Sequence, residues 1–233
     1  MHRFLFFYDE KRAKRKVKAM PTEKFFKIRT KHKNVFLRVC RGHFATSHSH
    51  INYYIDVTTQ KTRLSEATAL AKELVSYYNN NTIVDTILCL DGTEVIGTCL
   101  ADQLTKEEFV NINAHQTIYI VTPEHTTGSQ LIFRDNIAPM ITGKNVLILA
   151  ASVVTGYTAQ AAIEAVNYYG GRVAGVSSIF ATVDSCIGYP VRSIFNPNDL
   201  EGYATFSSHE CPMCKSGQKI DALVNMYGFS KLK

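Results

Sequence analysis

The sequence lacks a long apolar run. Its longest stretch without a strongly polar residue is the six-residue segment from Val146 to Ala151, whereas a membrane-spanning helix needs ~20 apolar residues. A secretory signal is not indicated either, because the five apolar or aromatic residues at 4–8 are followed by Asp9, Glu10 and several lysines. The sequence therefore excludes a membrane helix and predicts a cytoplasmic protein without a membrane partner.

Cysteine is also scarce. Six cysteines in 233 residues are too few for a disulfide scaffold, and only Cys211 and Cys214 lie close together in sequence. We therefore expect the protein to work in a reducing compartment.

Acidic residues are nearly missing from the N-terminal part. Residues 1–42 carry 14 lysines and arginines against 3 acids, whereas the rest of the chain has a net charge of −5. The basic run at 11–18 is able to bind nucleic acid, but it equally fits a solvated extension, or a translation start at Met20 that would leave residues 1–19 untranslated. We therefore divide the chain into a basic extension over 1–41 and a domain over 42–233.

The remaining sequence has the composition of a globular domain, with 45% hydrophobic and 20% charged residues. Short segments rich in Val, Ile and Leu alternate with segments of helical periodicity, which predicts an α/β fold with a mostly parallel sheet flanked by helices. The strands are expected at 53–57, 83–90, 117–121, 146–149 and 173–180, and the helices at 64–78, from the Asp91-Gly92 break toward Leu104, and at 158–169.

The most informative motif is a strand-to-helix loop that reads VLILAASVVTGYT over 146–158. Free N–H groups and the positive end of the helix dipole converge at such a loop, and a glycine lets an anion approach the backbone. The loop resembles the phosphoribosyl pyrophosphate motif of the type I phosphoribosyltransferases. The resemblance implies a cradle for a ribose 5′-phosphate, while an ordinary capped turn is the alternative. The cradle residues are Ser152, Thr155, Gly156, Tyr157 and Thr158.

Three further segments are similar to the orotate branch of that family: GHF at 42–44 followed by SHSHINYYID at 47–56, DGTEVIG at 91–97, and ECPMCKSG at 210–217. The first resembles a small N-terminal substrate-side region, and the second stands where the family has its pyrophosphate loop, with Asp91, Gly92 and Thr93 as binding candidates. The resemblance covers about residues 42–220. It implies a homodimer that binds phosphoribosyl pyrophosphate or a nucleoside monophosphate together with Mg²⁺.

Two departures from the family pattern concern catalysis. Ala150 and Ala151 stand where the family has two acids that accept hydrogen bonds from the ribose hydroxyls, and two such bonds contribute ~3–6 kcal/mol. The loop over 122–132 carries no Lys or Arg, although the family uses cations there to neutralise pyrophosphate. His125 is the one weak catalytic candidate in this loop, with a surface histidine as the alternative, and Arg134 lies just beyond.

The pair Cys211-x-x-Cys214 is half of a zinc site. His209 is close enough in sequence to be a third ligand, and Cys186 or Cys40 would complete the set only if the fold brings them near. A redox pair and a simple turn set by Pro212 are the other interpretations.

Two functions therefore stay open. In the first, the protein transfers a phosphoribosyl group from phosphoribosyl pyrophosphate to orotate or a related base. In the second, it has kept the phosphate cradle but not the chemistry, and acts as a nucleotide-binding regulatory protein. The motif order favours the first function, whereas the two alanines favour the second.

Overall fold

A computed structural model describes residues 25–29, 35–78, 82–106, 112–114, 117–126 and 130–232. The basic run at 11–18 and Met20 lie outside the described residues. None of the helices in these ranges is long and apolar enough to cross a membrane.

The described ranges contain fourteen strands and five α-helices. The strands are β1 (Phe26–Arg29), β2 (Phe36–Ala45), β3 (His50–Asp56), β4 (Thr86–Cys89), β5 (Tyr119–Val121), β6 (Glu124–His125), β7 (Leu131–Ile132), β8 (Asn145–Val153), β9 (Arg172–Ala181), β10 (Ser185–Cys186), β11 (Tyr189–Phe195), β12 (Thr205–Phe206), β13 (Ala222–Asn225) and β14 (Gly228–Lys231). The helices are α1 (Thr58–Thr62), α2 (Leu64–Leu74), α3 (Glu94–Leu104), α4 (Tyr157–Tyr168) and α5 (Pro212–Lys215).

The main sheet has the strand order β10-β11-β9-β8-β4-β5, and all its pairs are parallel except the short β10–β11 pair. The chain runs outward from β4 to β5 and then returns to the other side of β4 to form β8. The strand order therefore reverses between β4 and β8. In open α/β sheets, ligands bind beyond the carboxyl ends of the strands at such a switch point.

Helices cover both faces of the main sheet because its central strands are apolar on both sides. Ile87 and Leu147 point into a buried cluster with Leu70 of α2 and Leu100 of α3. Their neighbours in the strands point the opposite way, into a second cluster that α4 closes, with the members Leu88, Ile148, Ala150, Ile163 and Val166. The two clusters fix the carboxyl ends of β4 and β8 side by side.

A second, mixed sheet has the strand order β12-β3-β2-β13-β14, with β1 paired to β2. Strands from both ends of the chain meet here, because β13 pairs in parallel with β2 and β12 pairs with β3. A small buried cluster holds this sheet together, with Cys40, Phe44, Tyr54, Ala222 and Val224 as its members.

The predicted α/β class is confirmed. The expected small N-terminal region forms the second sheet, but the C-terminal strands β12 to β14 complete this sheet, which the sequence did not predict. The predicted boundary between residues 41 and 42 falls inside β2, so residues 36–41 are part of the fold and not of an extension.

Candidate functional site

A cleft of about 730 Å³ lies between the carboxyl edge of the main sheet and the second sheet. Residues from both sheets line it, among them Tyr54, Ser152 and Val224. Small-molecule sites in proteins have volumes of ~300–1,000 Å³ and combine apolar walls with a few polar groups. The cleft therefore has the size and the position of a binding site for a small molecule.

The loop between β8 and α4 forms one wall of the cleft, and all five predicted cradle residues line it. Gly156 precedes α4 with φ = 81°, a backbone conformation that favours glycine. No side chain in the described ranges caps α4, and the first N–H groups of a helix have no partner within the helix. The start of α4 therefore presents free donors to the cleft.

The loop after β4 forms the neighbouring wall. Asp91 lines the cleft and has φ = 57°. Burial raises the pKa of the Asp91 carboxyl, while Lys61, the Ala151 N–H and His125 oppose the shift. This carboxyl group therefore belongs to the cleft.

The other two candidates of this loop are not among the residues that line the cleft. Gly92 has φ = 76° and completes the turn. Thr93 is fully buried, and its hydroxyl donates to the carbonyl oxygens of Leu90 at 2.8 Å and Leu149 at 3.0 Å. The role of Thr93 in this structure is to hold the turn against β8.

The two alanines have different environments. Ala150 is buried in the apolar cluster beneath α4, whereas Ala151 lines the cleft next to Asp91. Successive residues of a strand point to opposite faces, so only one of the two can present its side chain to a ligand on this side of the sheet. A missing carboxylate therefore matters for the cleft at position 151.

Lys61 is a cleft residue that the sequence did not indicate. Its ammonium group donates to the backbone carbonyls of Asp91 and Met226, both at 2.7 Å. Burial lowers the pKa of Lys61, and the nearby carboxylates of Asp91, Glu94 and Asp56 oppose this. The short helix α1 that carries Lys61 belongs to no motif, and no pattern in the sequence therefore pointed to this lysine.

The turn between β2 and β3 covers the cleft from the second sheet. Thr46 stabilises this turn, because its hydroxyl accepts from the backbone N–H of Ser49 at 2.9 Å. His48 lies in the same turn, and its ring faces the ring of Tyr157 with 5.6 Å between the two centroids. The turn therefore contacts the start of α4 across the cleft.

The hairpin of β6 and β7 carries His125, an exposed residue that lines the cleft. Residues 127–129 of this hairpin lie outside the described ranges. Arg134 does not line the cleft, since its guanidinium group makes two hydrogen bonds to the carboxylate of Glu124, at 2.7 and 2.6 Å. The Glu124–Arg134 pair is exposed and contributes little to stability.

The structure corrects the predicted set of metal ligands. His209 is exposed and lies outside the cluster that Cys211 and Cys214 form. The cluster contains His43 and His50 instead, and the four ligand atoms lie within 4.8 Å of one another. Cys40 and Cys186 do not belong to this group either. Both histidines stand in the GHF and SHSH segments, so the presence of two His and a Cys-x-x-Cys pair was a usable signal.

Asp91 is the one carboxylate among the cleft-lining residues in the described ranges. Protein-bound Mg²⁺ commonly takes one or two carboxylates together with the phosphates of the ligand. Asp91 is therefore the side chain of the cleft that would hold the Mg²⁺ implied by the family resemblance, and this ion stays a prediction.

No protein-family model matches the chain. The orotate phosphoribosyltransferase of Chlorobaculum parvum is 27% identical over 183 residues, which are 78% of this chain and 86% of that protein. The orotate phosphoribosyltransferase of Caldanaerobacter subterraneus is 36% identical over 77 residues, 32% of this chain and 38% of that protein. Among solved structures, the UMP synthase of Leishmania donovani matches 77% of this chain and 36% of its own, with a TM-score of 0.50 and 17% identity. The last likeness concerns the fold.

Proposed function

We propose that this chain, a relative of the orotate phosphoribosyltransferases with the type I phosphoribosyltransferase fold, binds a 5′-phosphorylated ribose in its cleft. The ligand is phosphoribosyl pyrophosphate or a nucleoside 5′-monophosphate. The observation that carries the proposal is the uncapped start of α4 behind Gly156, which faces the cleft at the point where the strand order reverses.

The phosphate would lie against the backbone of the loop before α4, within reach of the hydroxyl groups of Thr155 and Thr158. Lys61 supplies a positive charge to the same cleft. Its ammonium group has three donors, and two of them are used by carbonyl groups. The third donor is available to an anionic ligand.

Transfer of a phosphoribosyl group to orotate is the activity named for the relatives of this sequence. In that reaction the base forms a bond to the anomeric carbon of the ribose while pyrophosphate leaves. We expect the transfer to be very slow or absent, because Ala151 replaces a carboxylate beside the ribose and the described part of the loop over 122–132 carries no cation.

A regulatory role is the second candidate function. The observation that favours it is the methyl group of Ala151 on the cleft wall. A cleft that has donors for a phosphate but lacks the carboxylate beside the ribose is better suited to binding a nucleotide than to catalysing transfer. In both functions we expect a homodimer in the cytoplasm, and equilibrium sedimentation of the purified protein tests the dimer.

Calorimetric titration with uridine 5′-monophosphate and with uridine tests the binding proposal. The two ligands differ only in the phosphate group. We expect micromolar to millimolar affinity for the monophosphate, and an affinity for uridine that is weaker by at least ~1.5 kcal/mol, because hydrogen bonds to charged groups contribute ~1.5–3 kcal/mol each. Equal affinity for both would show that the loop before α4 is no phosphate cradle.

The loss of orotate absorbance in the presence of phosphoribosyl pyrophosphate and Mg²⁺ separates the two functions. Turnover at an ordinary enzymatic rate of ~1–10³ per second would establish the transferase and overturn our inference from Ala151. Binding without turnover would support the regulatory role.

A further inference from the structure

Two histidines and two cysteines that do not line the cleft converge where α5 meets the second sheet. His43 is in β2, His50 begins β3, Cys211 directly precedes α5 and Cys214 lies in that helix. In sequence, His43 is 168 residues from Cys211 and 171 residues from Cys214. The tertiary fold alone therefore assembles this group. We propose that these four side chains bind one zinc ion.

Four of the six distances between the ligand atoms match a tetrahedral ion, and all six are within 4.8 Å. Bonds of ~2.3 Å to sulfur and ~2.0–2.1 Å to nitrogen place S and N ligand atoms ~3.5 Å apart, and two N atoms ~3.3 Å apart. In the structure, Nε2 of His43 is 3.5 Å from Sγ of Cys211 and 3.6 Å from Sγ of Cys214. Nδ1 of His50 is 3.3 Å from Sγ of Cys214 and 3.1 Å from Nε2 of His43. These four distances are therefore already close to those around a coordinated ion.

Hydrogen bonds alone do not account for the three contacts that Nε2 of His43 makes. Its Nε2 atom lies near three other polar atoms, on Cys211, Cys214 and His50, yet a neutral ring nitrogen carries either one proton or one lone pair. One metal ion satisfies all of these contacts at once. Without an ion, Nε2 of His43 can form a hydrogen bond with only one of these three neighbours.

The other nitrogen of the His43 ring supports the same conclusion. Nδ1 lies 3.0 Å from the backbone carbonyl of Gln218, and since a carbonyl only accepts, Nδ1 carries the proton. The lone pair of Nε2 then points toward the cysteines. Histidines that bind metals are generally oriented by such a hydrogen bond from the second nitrogen.

A β-bulge between Arg41 and Phe44 turns His43 toward the cluster. Gly42 is required at the bulge, because a Cβ atom there would lie 2.8 Å from both Asp221 Oδ2 and the ring of Phe44. The backbone N–H of His43 also donates to Asp221 Oδ2 at 2.8 Å. The position of His43 is therefore fixed by its surroundings before any ion binds.

The ion would hold both ends of the segment 43–50. The turn within this segment lines the cleft, and His48 faces Tyr157 at the start of α4. Zinc would thus connect the C-terminal segment to the wall of the cleft, and its removal would weaken ligand binding there. This effect on ligand binding rests on the proposed function. The site has four protein ligands and no open position, which is typical of structural zinc.

Metal analysis of the purified full chain tests the proposal. We expect one zinc per chain by mass spectrometry of the metal content, with its loss in the variants His50→Asn and Cys214→Ser. Both substituted residues are at the less buried side of the cluster, and circular dichroism checks that the variants fold. His209→Asn is the matched control and keeps its zinc, because His209 is an exposed neighbour of Cys211 outside the cluster.

Replacement of zinc by Co²⁺ gives a second readout that does not depend on stability. We expect the absorption bands of tetrahedral cobalt with thiolate ligands, and a marked loss of the sulfur-to-cobalt band in Cys214→Ser. A wild-type protein with neither zinc nor a cobalt spectrum would overturn the proposal, and so would a disulfide between Cys211 and Cys214 in freshly purified protein.

Removal of zinc by a chelator tests the link to the cleft. The affinity for uridine 5′-monophosphate is expected to fall at least several-fold and to return when zinc is added back. A stoichiometric zinc ion in a protein that binds no nucleotide would contradict the proposed function and leave the metal site intact. Unchanged nucleotide affinity in the zinc-free protein would overturn the link between site and cleft.

Discussion

The ammonium group of Lys61 lies 2.7 Å from the backbone carbonyl oxygen of Asp91. The contact joins α1, which follows β3 of the second sheet, to the loop after β4 in the main sheet. It therefore brings a cation into a cleft whose other walls provide hydroxyl groups, backbone donors and one carboxylate.

Lys61→Met should weaken binding of uridine 5′-monophosphate by ~10-fold or more, because one charge-assisted hydrogen bond contributes ~1.5–3 kcal/mol. The unbranched methionine keeps most of the packing of the lysine side chain. Lys72→Met is the control, since Lys72 is exposed on α2 and does not line the cleft. Calorimetric titration of both variants measures the difference, and an equal loss in both would show that Lys61 acts only through the net charge.

Affinity for the same ligand should fall as the pH rises into the alkaline range. Burial lowers the pKa of Lys61 below 10.5, so the ammonium loses its proton at a lower pH than an exposed lysine. The attraction for the phosphate is complete below the lowered pKa and is lost above it. Titrations over this pH range should show the decrease in the wild type and a flatter profile in Lys61→Met. A decrease of the same size in both proteins would assign it to another group.

Gly156→Ala should abolish or strongly reduce phosphate binding. At φ = 81°, a residue with a Cβ atom costs ~1–2 kcal/mol, and the loop can relieve this only by changing the conformation that presents its N–H groups. Gly143→Ala is the matched control, because φ is 72° there and a Cβ would meet nothing within 4 Å. Thermal unfolding should show similar losses in both variants, whereas calorimetry should show lost binding in Gly156→Ala alone.

Ala151→Asp should tighten binding of the ribose ligand by ~1.5 kcal/mol or more, about tenfold, if the new carboxylate accepts from a ribose hydroxyl. Ala150→Asp should instead lower the melting temperature sharply, since it places a carboxylate in the apolar cluster beneath α4. Calorimetry and thermal unfolding of the two variants separate these effects. Equal tightening by both would show that residue 150 faces the ligand.

Asp91→Asn should raise the melting temperature at pH 7. Burial raises the pKa of Asp91 above 3.8, so the native state binds this proton more tightly than the unfolded state, and ionisation at neutral pH destabilises the fold. Asparagine tolerates the positive φ of this position and removes the charge.

The gain in Asp91→Asn should be complete above the raised pKa and disappear below pH 3.8. Asp135→Asn is the control, because Asp135 is exposed and does not line the cleft. Thermal unfolding at a series of pH values checks the prediction. A pH-independent gain would mean that the carboxylate charge is not its cause.

The sequence by itself determined the α/β class and the loop that opens α4. Both depend on local patterns. The strand predicted at 146–149 spans Asn145–Val153 in the structure, and the helix predicted at 158–169 begins one residue earlier, at Tyr157. Periodicity and a Thr-Gly turn are short-range patterns, and such patterns can be recognised from the sequence without the tertiary structure. The different environments of Ala150 and Ala151 also follow from strand alternation, a rule that was available from the sequence.

Only the tertiary structure decided which distant residues meet. Lys61 reaches Asp91 because α1 packs beside the loop after β4, and His43 and His50 meet Cys211 and Cys214 because the C-terminal strands join the N-terminal sheet. His209 was the natural third metal ligand when judged by distance along the chain. The fold replaced it with two histidines more than 160 residues away, since strand pairing and core packing, and not sequence separation, set the distances between side chains.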